Sequence, residues 1–387
     1  MSLQLYPLFL ILNLSYVRLE CCYLIIPNTC AIINDIKFLK EFTMASVSSI
    51  FKDVANLNEN QIEELFNNIG ELISLKSFSK SVHTDSREQR YSKGVACLHC
   101  GSTAVIKYGK KSNVQRFKCK DCGKTFNDLT LTPMANSPLP VDTWLSYAKC
   151  MILGLSLRKS AKVCSVGLKT SFYMRHRLLD SVRNFQGIGE VAGVVEMDET
   201  FVAESFKGNH KKSKFELPRP SRKRGKEVKL RGISNEQVCI ATAIDRNDNI
   251  ILEMVTKGRL TTADLERLYK DRLAADSLIC TDSHKSYISF AKGHVYQHIQ
   301  IASGKHKNGI YHISHVNSLH SKFKKWIRRF NGVSTKYLNN YLHWFKWLNG
   351  IVNEKEIVKA RQLLVNSSTK LIDTNLYQYK IRDAGYI

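Results

Sequence analysis

Four cysteines in two closely spaced pairs constrain the fold of this chain more than any other feature. Cys97 and Cys100 form one pair and Cys119 and Cys122 the other, eighteen residues later. Two Cys-x-x-Cys turns present four thiolates tetrahedrally, which is the coordination of structural Zn²⁺. We therefore predict a zinc ribbon over residues 91–130, with short strands between the pairs and all four cysteines as ligands. Two unrelated pairs of free or redox-active thiols are the alternative.

The chain is strongly basic. Its 387 residues include 58 Lys and Arg against 34 Asp and Glu, a formal net charge of +24. This excess favours a polyanionic partner, nucleic acid before an anionic membrane surface. No apolar run reaches the roughly 18 to 20 residues of a membrane-spanning helix. We expect no membrane partner and a soluble protein, cytoplasmic and associated with the nucleoid, or nuclear if the host is eukaryotic.

The first 43 residues differ from the rest of the chain. They contain three cations and three anions, so the whole positive excess belongs to residues 44–387. We predict that Met44 is the natural start and that residues 1–43 are an upstream extension from a mis-assigned start, the alternative being a membrane-associating tail. Apolar residues at spacings of three and four then predict an N-terminal helical segment over residues 44–90.

Residues 141–185 have the pattern of helix, glycine-containing turn, helix, short turn and helix. This order is typical of a helix-turn-helix DNA-binding segment. The last helix, from about residue 169 to 179, is expected to present Arg175 and Arg177 to a DNA groove. A helical spacer with ordinary solvated cations is the alternative.

Strands alternate with helices over residues 190–350. Three successive strands are followed by alternating helix and strand, which predicts an α/β fold with a mixed sheet flanked by helices. Two of these strands end in acids, at Asp198 and Asp282. Ligand sites on open α/β sheets gather at such strand ends, and two carboxylates that approach each other there suit a shared Mg²⁺ or Mn²⁺. The alternative is that both are ordinary turn residues.

Residues 311–348 complete a recognisable pattern. With the cysteine pairs and Met197–Thr200, the blocks Tyr311–Trp326, Asn331–Leu338 and Tyr341–Trp347 make the sequence resemble zinc-ribbon insertion-sequence transposases with a DDE-type, ribonuclease-H-like catalytic domain. The resemblance spans about residues 44–350. It implies a ribonuclease-H-like domain at 190–350, metal-dependent DNA cleavage and strand transfer, binding to double-stranded terminal repeats and target DNA, and a homo-oligomer in the synaptic complex.

The resemblance also implies catalytic roles for individual residues. Asp198 and Asp282 match the first two catalytic carboxylates and would bind Mg²⁺ or Mn²⁺. The third acid is missing, and Asn317 and His320 stand three apart on one predicted helix, with Lys324 a turn further on. Asn317 offers the harder oxygen ligand, whereas the family's Asn-x-x-Glu spacing favours His320, so both stay candidates for the third position.

Basic residues cluster at two places in the transposase-like region. Residues 207–231 contain eleven Lys and Arg, and the predicted helix after Asn317 adds Lys325 on a basic face. Neutralising several phosphates gives binding that weakens steeply with salt. The candidate DNA contacts in the first cluster are Lys211, Lys212, Arg222, Lys223 and Arg224. A solvated loop without a partner is the alternative there.

Three functions fit these features. The first is an insertion-sequence transposase that binds element ends and cuts and joins DNA strands. The second is a zinc-ribbon DNA-binding regulator with an inactive transposase-derived core, which the missing third acid would favour. The third is a structure-specific nuclease without strand joining. Residues 351–387 form a C-terminal tail, helical around residues 354–364, to which the sequence assigns no role.

Overall fold

The computed structural model describes residues 47–111, 114–208, 230, 232–302, 304–305, 307–369, 371–372 and 374–386. The chain divides into two compact units, residues 1–67 and 68–387. Helix α1 (Val47–Ala55) belongs to the first unit, and helix α2 (Glu59–Arg90) begins there and ends in the second. The predicted upstream extension, residues 1–43, lies outside the described residues.

A small three-stranded sheet follows α2. Strands β1 (Val105–Lys111), β2 (Val114–Cys119) and β3 (Thr125–Asn127) pair antiparallel in that order. Its core is small, and the rings of Phe117 and Phe126 stack at 5.5 Å between centroids. The strands predicted between the cysteine pairs are therefore present. So little buried apolar area is typical of domains that need a metal to fold.

Three helices succeed the small sheet, as the sequence predicts. They are α3 (Val141–Ile152), α4 (Leu157–Val163) and α5 (Leu168–Gln186). Ser156 caps α4 by accepting a hydrogen bond from the Lys159 amide, and Gly154 adopts a φ of +67° in the preceding turn. Helix α5 continues well beyond the predicted end near residue 179. Helices α3, α4 and two later helices pack around it.

The expectation that Arg175 and Arg177 face a DNA groove is wrong. Their exposed fractions are 0% and 5%. Arg175 Nη2 donates to the Leu155 carbonyl at 2.6 Å, and Arg177 donates to the carbonyls of Ala135 and Thr132 at 3.0 and 2.7 Å. Both guanidinium groups thus satisfy carbonyls inside the protein, because helices cover α5 on more than one side.

A five-stranded mixed sheet forms the second half of the chain. Strands β4 (Val194–Ala203), β5 (Gln237–Asp245) and β6 (Ile250–Lys257) pair antiparallel. Strands β7 (Leu278–Asp282) and β8 (Gln297–Ile301) extend the sheet parallel to β4, in the order β6-β5-β4-β7-β8. Three antiparallel strands followed by two parallel ones confirm the predicted mixed sheet.

Helices cover both faces of this sheet. Helices α6 (Thr262–Tyr269) and α7 (Lys285–Gly293) pack on one face, and α8 (Ser314–Arg328) and α9 (Leu338–Asn349) pack on the other. Side chains alternate along β5 between the two faces. Val238 and Ile240 pack in the core beneath α8 and α9, whereas Cys239 and Ala241 pack in the core beneath α6 and α7. The short strands β9 (Lys307–Asn308) and β10 (Tyr311–His312) lead into α8.

The C-terminal tail packs back onto the helices. Helix α10 (Glu356–Asn366) matches the predicted helical stretch, and α11 (Leu376–Ile381) follows. Tyr379 and Arg382 of the tail donate hydrogen bonds to the buried carboxylate of Asp180 in α5. The tail is therefore part of the helical core that contains α5. Within the described ranges, the structure has no helix of the length and hydropathy needed to cross a bilayer.

Candidate catalytic and metal sites

The predicted cysteine quartet comes together in the small sheet. All four Sγ atoms lie within 4.8 Å of one another, with Cys97 and Cys122 at 3.6 Å and Cys100 and Cys119 at 3.6 Å. These separations match the edge of a tetrahedron of sulfurs about 2.3 Å from a central Zn²⁺. The quartet is compatible with a zinc ribbon.

Asp198 and Asp282 lie on neighbouring parallel strands. Asp282 is the last residue of β7, as predicted, whereas Asp198 lies inside β4, which continues to Ala203, so the expectation that Asp198 ends its strand is wrong. The register of β4 with β7 pairs Val194 with Leu278 and Glu196 with Cys280. Extended two residues beyond the last of these pairs, the same register would set Asp198 opposite Asp282. The negative charge of Asp282 is also among the causes that raise the pKa of Asp198, which indicates that the two acids are near each other. Equal steps of two also put both side chains on the face covered by α8.

The electrostatic environment disfavours a charged Asp198. Burial, with the negative charges of Glu199 and Asp282, raises the pKa of Asp198 to about 7. The positive charge of Lys324 opposes this shift without cancelling it. A carboxylate in this setting is stabilised by an added cation, and the available oxygen ligands suit Mg²⁺ or Mn²⁺.

His320 is the residue of α8 that lies beside Asp198. Its Nδ1 lies 3.7 Å from Asp198 Oδ2. Its Nε2 lies 2.9 Å from the hydroxyl of Thr242, the residue of β5 that pairs with Asp198 of β4. Burial, with the positive charge of Lys324, lowers the pKa of His320 to about 4. The ring is therefore neutral near pH 7, and a proton on Nε2 would leave the Nδ1 lone pair facing Asp198.

Asn317 is placed differently from His320. Its side chain is exposed, and none of the hydrogen bonds in the described part of the chain joins it to Asp198 or Asp282. Groups of three or more metal-binding side chains within 4.8 Å are, over the described ranges, the cysteine quartet and Glu196 with His312 and His315. The structure thus brings His320 and Lys324 towards Asp198 and leaves Asn317 at the surface.

Two further acids of β4, Glu196 and Glu199, were not predicted from the sequence as part of the site. Glu199 accepts a hydrogen bond from the Tyr287 hydroxyl at 3.0 Å, and burial raises its pKa. Glu196 is 1% exposed and contacts Arg246, His312 and His315. The one available signal was position: Glu196 precedes Asp198 by two residues, and in a strand that places both on one face.

The predicted DNA contacts have different outcomes. Lys325 is exposed on α8, whose opposite face buries Leu319, Phe323 and Trp326, so the helix has the predicted apolar and basic faces. Arg175 and Arg177 are buried, as described above. The remaining candidates, Lys211, Lys212, Arg222, Lys223 and Arg224, lie outside the described residues.

Comparisons with known proteins identify a similar family and a similar protein. Residues 190–349 match the family described as ISXO2-like transposase domain. The chain is also 27% identical, over 261 residues, to an uncharacterized protein in transposable element ISH50 of Halobacterium salinarum. That similarity covers 66% of this chain and 86% of the relative.

Among solved structures, the crystal structure of a pre-cleavage Mos1 transpososome is similar over 56% of this chain and 75% of that chain. The sequence identity is 12% and the TM-score is 0.19, a value too low to indicate a shared fold. The family match and the relative from the transposable element therefore support an insertion-sequence transposase, through a domain at residues 190–349.

Proposed function

We propose that the protein binds the ends of its insertion sequence and catalyses metal-dependent DNA cleavage and strand transfer. The observation that carries this proposal is the position of His320 Nδ1, 3.7 Å from Asp198 Oδ2. The parallel pairing of β4 with β7 supports it, because the register that pairs Glu196 with Cys280 leads two residues on to Asp198 and Asp282. Three antiparallel strands, two parallel strands and a helix across the acidic face support a ribonuclease-H-like domain.

The residues present fit divalent ions at this place. Asp198 and Asp282 would hold Mg²⁺ or Mn²⁺, and the neutral imidazole of His320 suits Mn²⁺ better than Mg²⁺. Bound there, such ions would lower the pKa of an attacking hydroxyl and stabilise the leaving oxygen of an in-line displacement. Cys97, Cys100, Cys119 and Cys122 would hold Zn²⁺ in a structural role, because four thiolates leave no open position for chemistry.

The chain's own residues then have distinct tasks. Asp198 and Asp282 would hold the ions beside the reacting phosphodiester, and His320 rather than Asn317 would occupy the third position. Lys324 supplies positive charge beside the carboxylates, where charge builds up on the phosphate oxygens. In the first step water attacks the phosphodiester at the element boundary and releases a 3′-hydroxyl. In the second, that 3′-hydroxyl attacks a phosphodiester of the target DNA, which joins the element end to the target and releases a 3′-hydroxyl of the target strand.

DNA would be held by basic surfaces around this site. Lys325 belongs to the exposed basic face of α8, and the segment with Lys211, Lys212, Arg222, Lys223 and Arg224 would add phosphate contacts. In the helix-turn-helix-like segment, four other cations are exposed at the start of α5 and on α4: Arg158, Lys159, Lys162 and Lys169. These replace Arg175 and Arg177 as candidate contacts. Joining two element ends implies a homo-oligomer.

A test separates this function from its rivals. Purified protein would be incubated with labelled DNA carrying the terminal repeats of the element and with Mn²⁺. The proposal predicts joined products, which D198A and D282A abolish while DNA binding persists. Nicks without joining indicate a structure-specific nuclease. Binding without any product, unchanged by D198A, indicates a regulator with an inactive core, the function that the absent third acid favours.

A further inference from the structure

Glu196 joins the central strand to the start of the helix that carries His320. Its side chain lies on the same face of β4 as Asp198, two residues earlier, and is 1% exposed. Oε2 accepts hydrogen bonds from the backbone amides of His315 and Val316, at 2.8 and 3.2 Å. These amides belong to the first turn of α8, where helices have unpaired donors and a partial positive charge.

The other carboxylate oxygen of Glu196 has three polar partners. Oε1 lies 2.8 Å from a guanidinium nitrogen of Arg246, 2.8 Å from His315 Nδ1 and 3.1 Å from His312 Nδ1. A buried carboxylate is stable only when charged or polar partners occupy both oxygens. The partners of Glu196 therefore come from three elements: Arg246 from the turn between β5 and β6, His312 from β10 and His315 from α8.

We propose that Glu196 is a positioning residue for the catalytic site. It fixes the first turn of α8 against β4, and this holds His320 and Lys324 over Asp198. This inference rests on the proposed function. The spacing supports it, because two residues along a strand advance about 6.7 Å and the five residues from His315 to His320 advance about 7.5 Å along a helix. The helix is thus fastened to β4 at Glu196, and one turn further on His320 pairs with Thr242 of β5 and lies 3.7 Å from Asp198.

The same ligand atoms could also suggest a transition-metal site. Glu196, His312 and His315 offer three donor atoms within 4.8 Å. Arg246 Nη1, however, lies 2.8 Å from the carboxylate oxygen and 2.5 Å from His315 Nδ1. A guanidinium there already supplies the positive charge that a metal ion would bring, so the contacts favour a positioning role.

The test compares E196A and E196Q with the active wild-type protein on saturating terminal-repeat DNA and Mn²⁺. E196A should lower the single-turnover cleavage rate about 10- to 100-fold, the usual effect of losing an outer-shell partner. The dissociation constant of E196A for DNA and its zinc content should stay within about twofold of the wild-type values, because the proposal gives Glu196 no contact with DNA or with the zinc ligands. E196Q keeps an oxygen for the helix amides and should fall between wild type and E196A.

Glu253 provides a matched control. It is also a 1% exposed carboxylate of this sheet, but it pairs with His343 of α9 at 2.7 Å. E253Q should lower the melting temperature and leave the cleavage rate per folded molecule within about twofold of wild type.

Each other outcome overturns the inference in a distinguishable way. If wild type makes no product, the proposed function is wrong and the positioning role fails with it. If wild type cleaves and E196A cleaves within twofold of it, only the positioning role is wrong. If E196A and E196Q each bind one transition-metal ion fewer per chain by elemental analysis, Glu196 is a metal ligand instead.

Discussion

His320 Nδ1 lies 3.7 Å from Asp198 Oδ2, while its Nε2 lies 2.9 Å from the hydroxyl of Thr242, which pairs with Asp198 across the sheet. One imidazole thus contacts two adjacent strands, β4 at Asp198 and β5 at Thr242. Because burial and Lys324 lower its pKa to about 4, the ring stays neutral at physiological pH. Neutral imidazole can bind a metal or accept a proton, whereas imidazolium beside a metal site can do neither.

This relationship predicts that His320 matters more than Asn317. H320A should lower the single-turnover cleavage rate about 100-fold or more, in keeping with the loss of a precisely placed group. N317A removes an exposed side chain from the same helix and should lower the rate less than about tenfold. The measurement is cleavage of labelled terminal-repeat DNA in Mn²⁺, with folding of both variants checked by circular dichroism. A larger loss in N317A would assign the third position to Asn317.

The raised pKa of Asp198 predicts a stability gain when its charge is removed. The folded protein keeps this proton up to about pH 7, whereas an unfolded chain loses it at about pH 4. The folded state therefore binds more protons within that window, and the free energy of unfolding falls as the pH rises through it. D198N, which cannot ionise, should be more stable than wild type at pH 8, by about 1–3 kcal/mol.

That gain is measured by urea unfolding at pH 5 and pH 8 in buffer without Mg²⁺ or Mn²⁺. The difference between D198N and wild type should be smaller at pH 5. D276N removes the same charge from an exposed position and should show no such gain. Added Mn²⁺ should stabilise wild type and not D198N, since only a metal bound to the folded state raises its stability. Equal stability of D198N and wild type at pH 8 would contradict the prediction.

The sequence predicts local features of this site better than distant ones. The cysteine pairs, the acid that ends β7 and the amphipathic pattern of α8 are each readable within a few residues, and the structure contains all three. The strand with Asp198 is longer than predicted, because pairing with β5 continues to Ala203. The burial of Arg175 depends on carbonyls and rings from elsewhere, including Leu155, Phe330 and Trp344. Glu196 likewise lies in an apolar run, and its partners His315 and Arg246 are far along the chain. Neither arrangement follows from periodicity.

The cysteine quartet predicts one zinc ion per chain. C97S should lower the zinc content to less than about 0.2 ions per chain, because three thiolates bind Zn²⁺ far less tightly than four at equal pH. The small sheet should then lose its fold, and limited proteolysis should cut within residues 91–130. C164S changes a cysteine outside the quartet and should keep a full zinc ion. Zinc content is measured by elemental analysis, and a full ion in C97S would refute the assignment.

The exposed basic face of α8 and the buried guanidinium groups of α5 predict opposite consequences for mutation. K325A removes an exposed cation, so it should weaken DNA binding equally for any sequence and reduce the slope of log K against log salt by about 1. Its melting temperature should stay within about 2 °C of wild type, since exposed residues contribute little to stability.

R175A should lower the stability of the protein and leave the salt dependence of DNA binding unchanged. The Arg175 side chain is fully buried and donates to Leu155 and Ser160, so its loss leaves buried carbonyl and hydroxyl groups unpaired. A destabilisation of about 2–4 kcal/mol is expected. At a temperature where R175A is folded, its salt slope should equal that of wild type, because the guanidinium does not reach solvent. Fluorescence anisotropy at several salt concentrations and thermal denaturation measure the two effects. If folded R175A showed a smaller slope of log K against log salt than wild type, Arg175 would contact DNA and the prediction would be wrong.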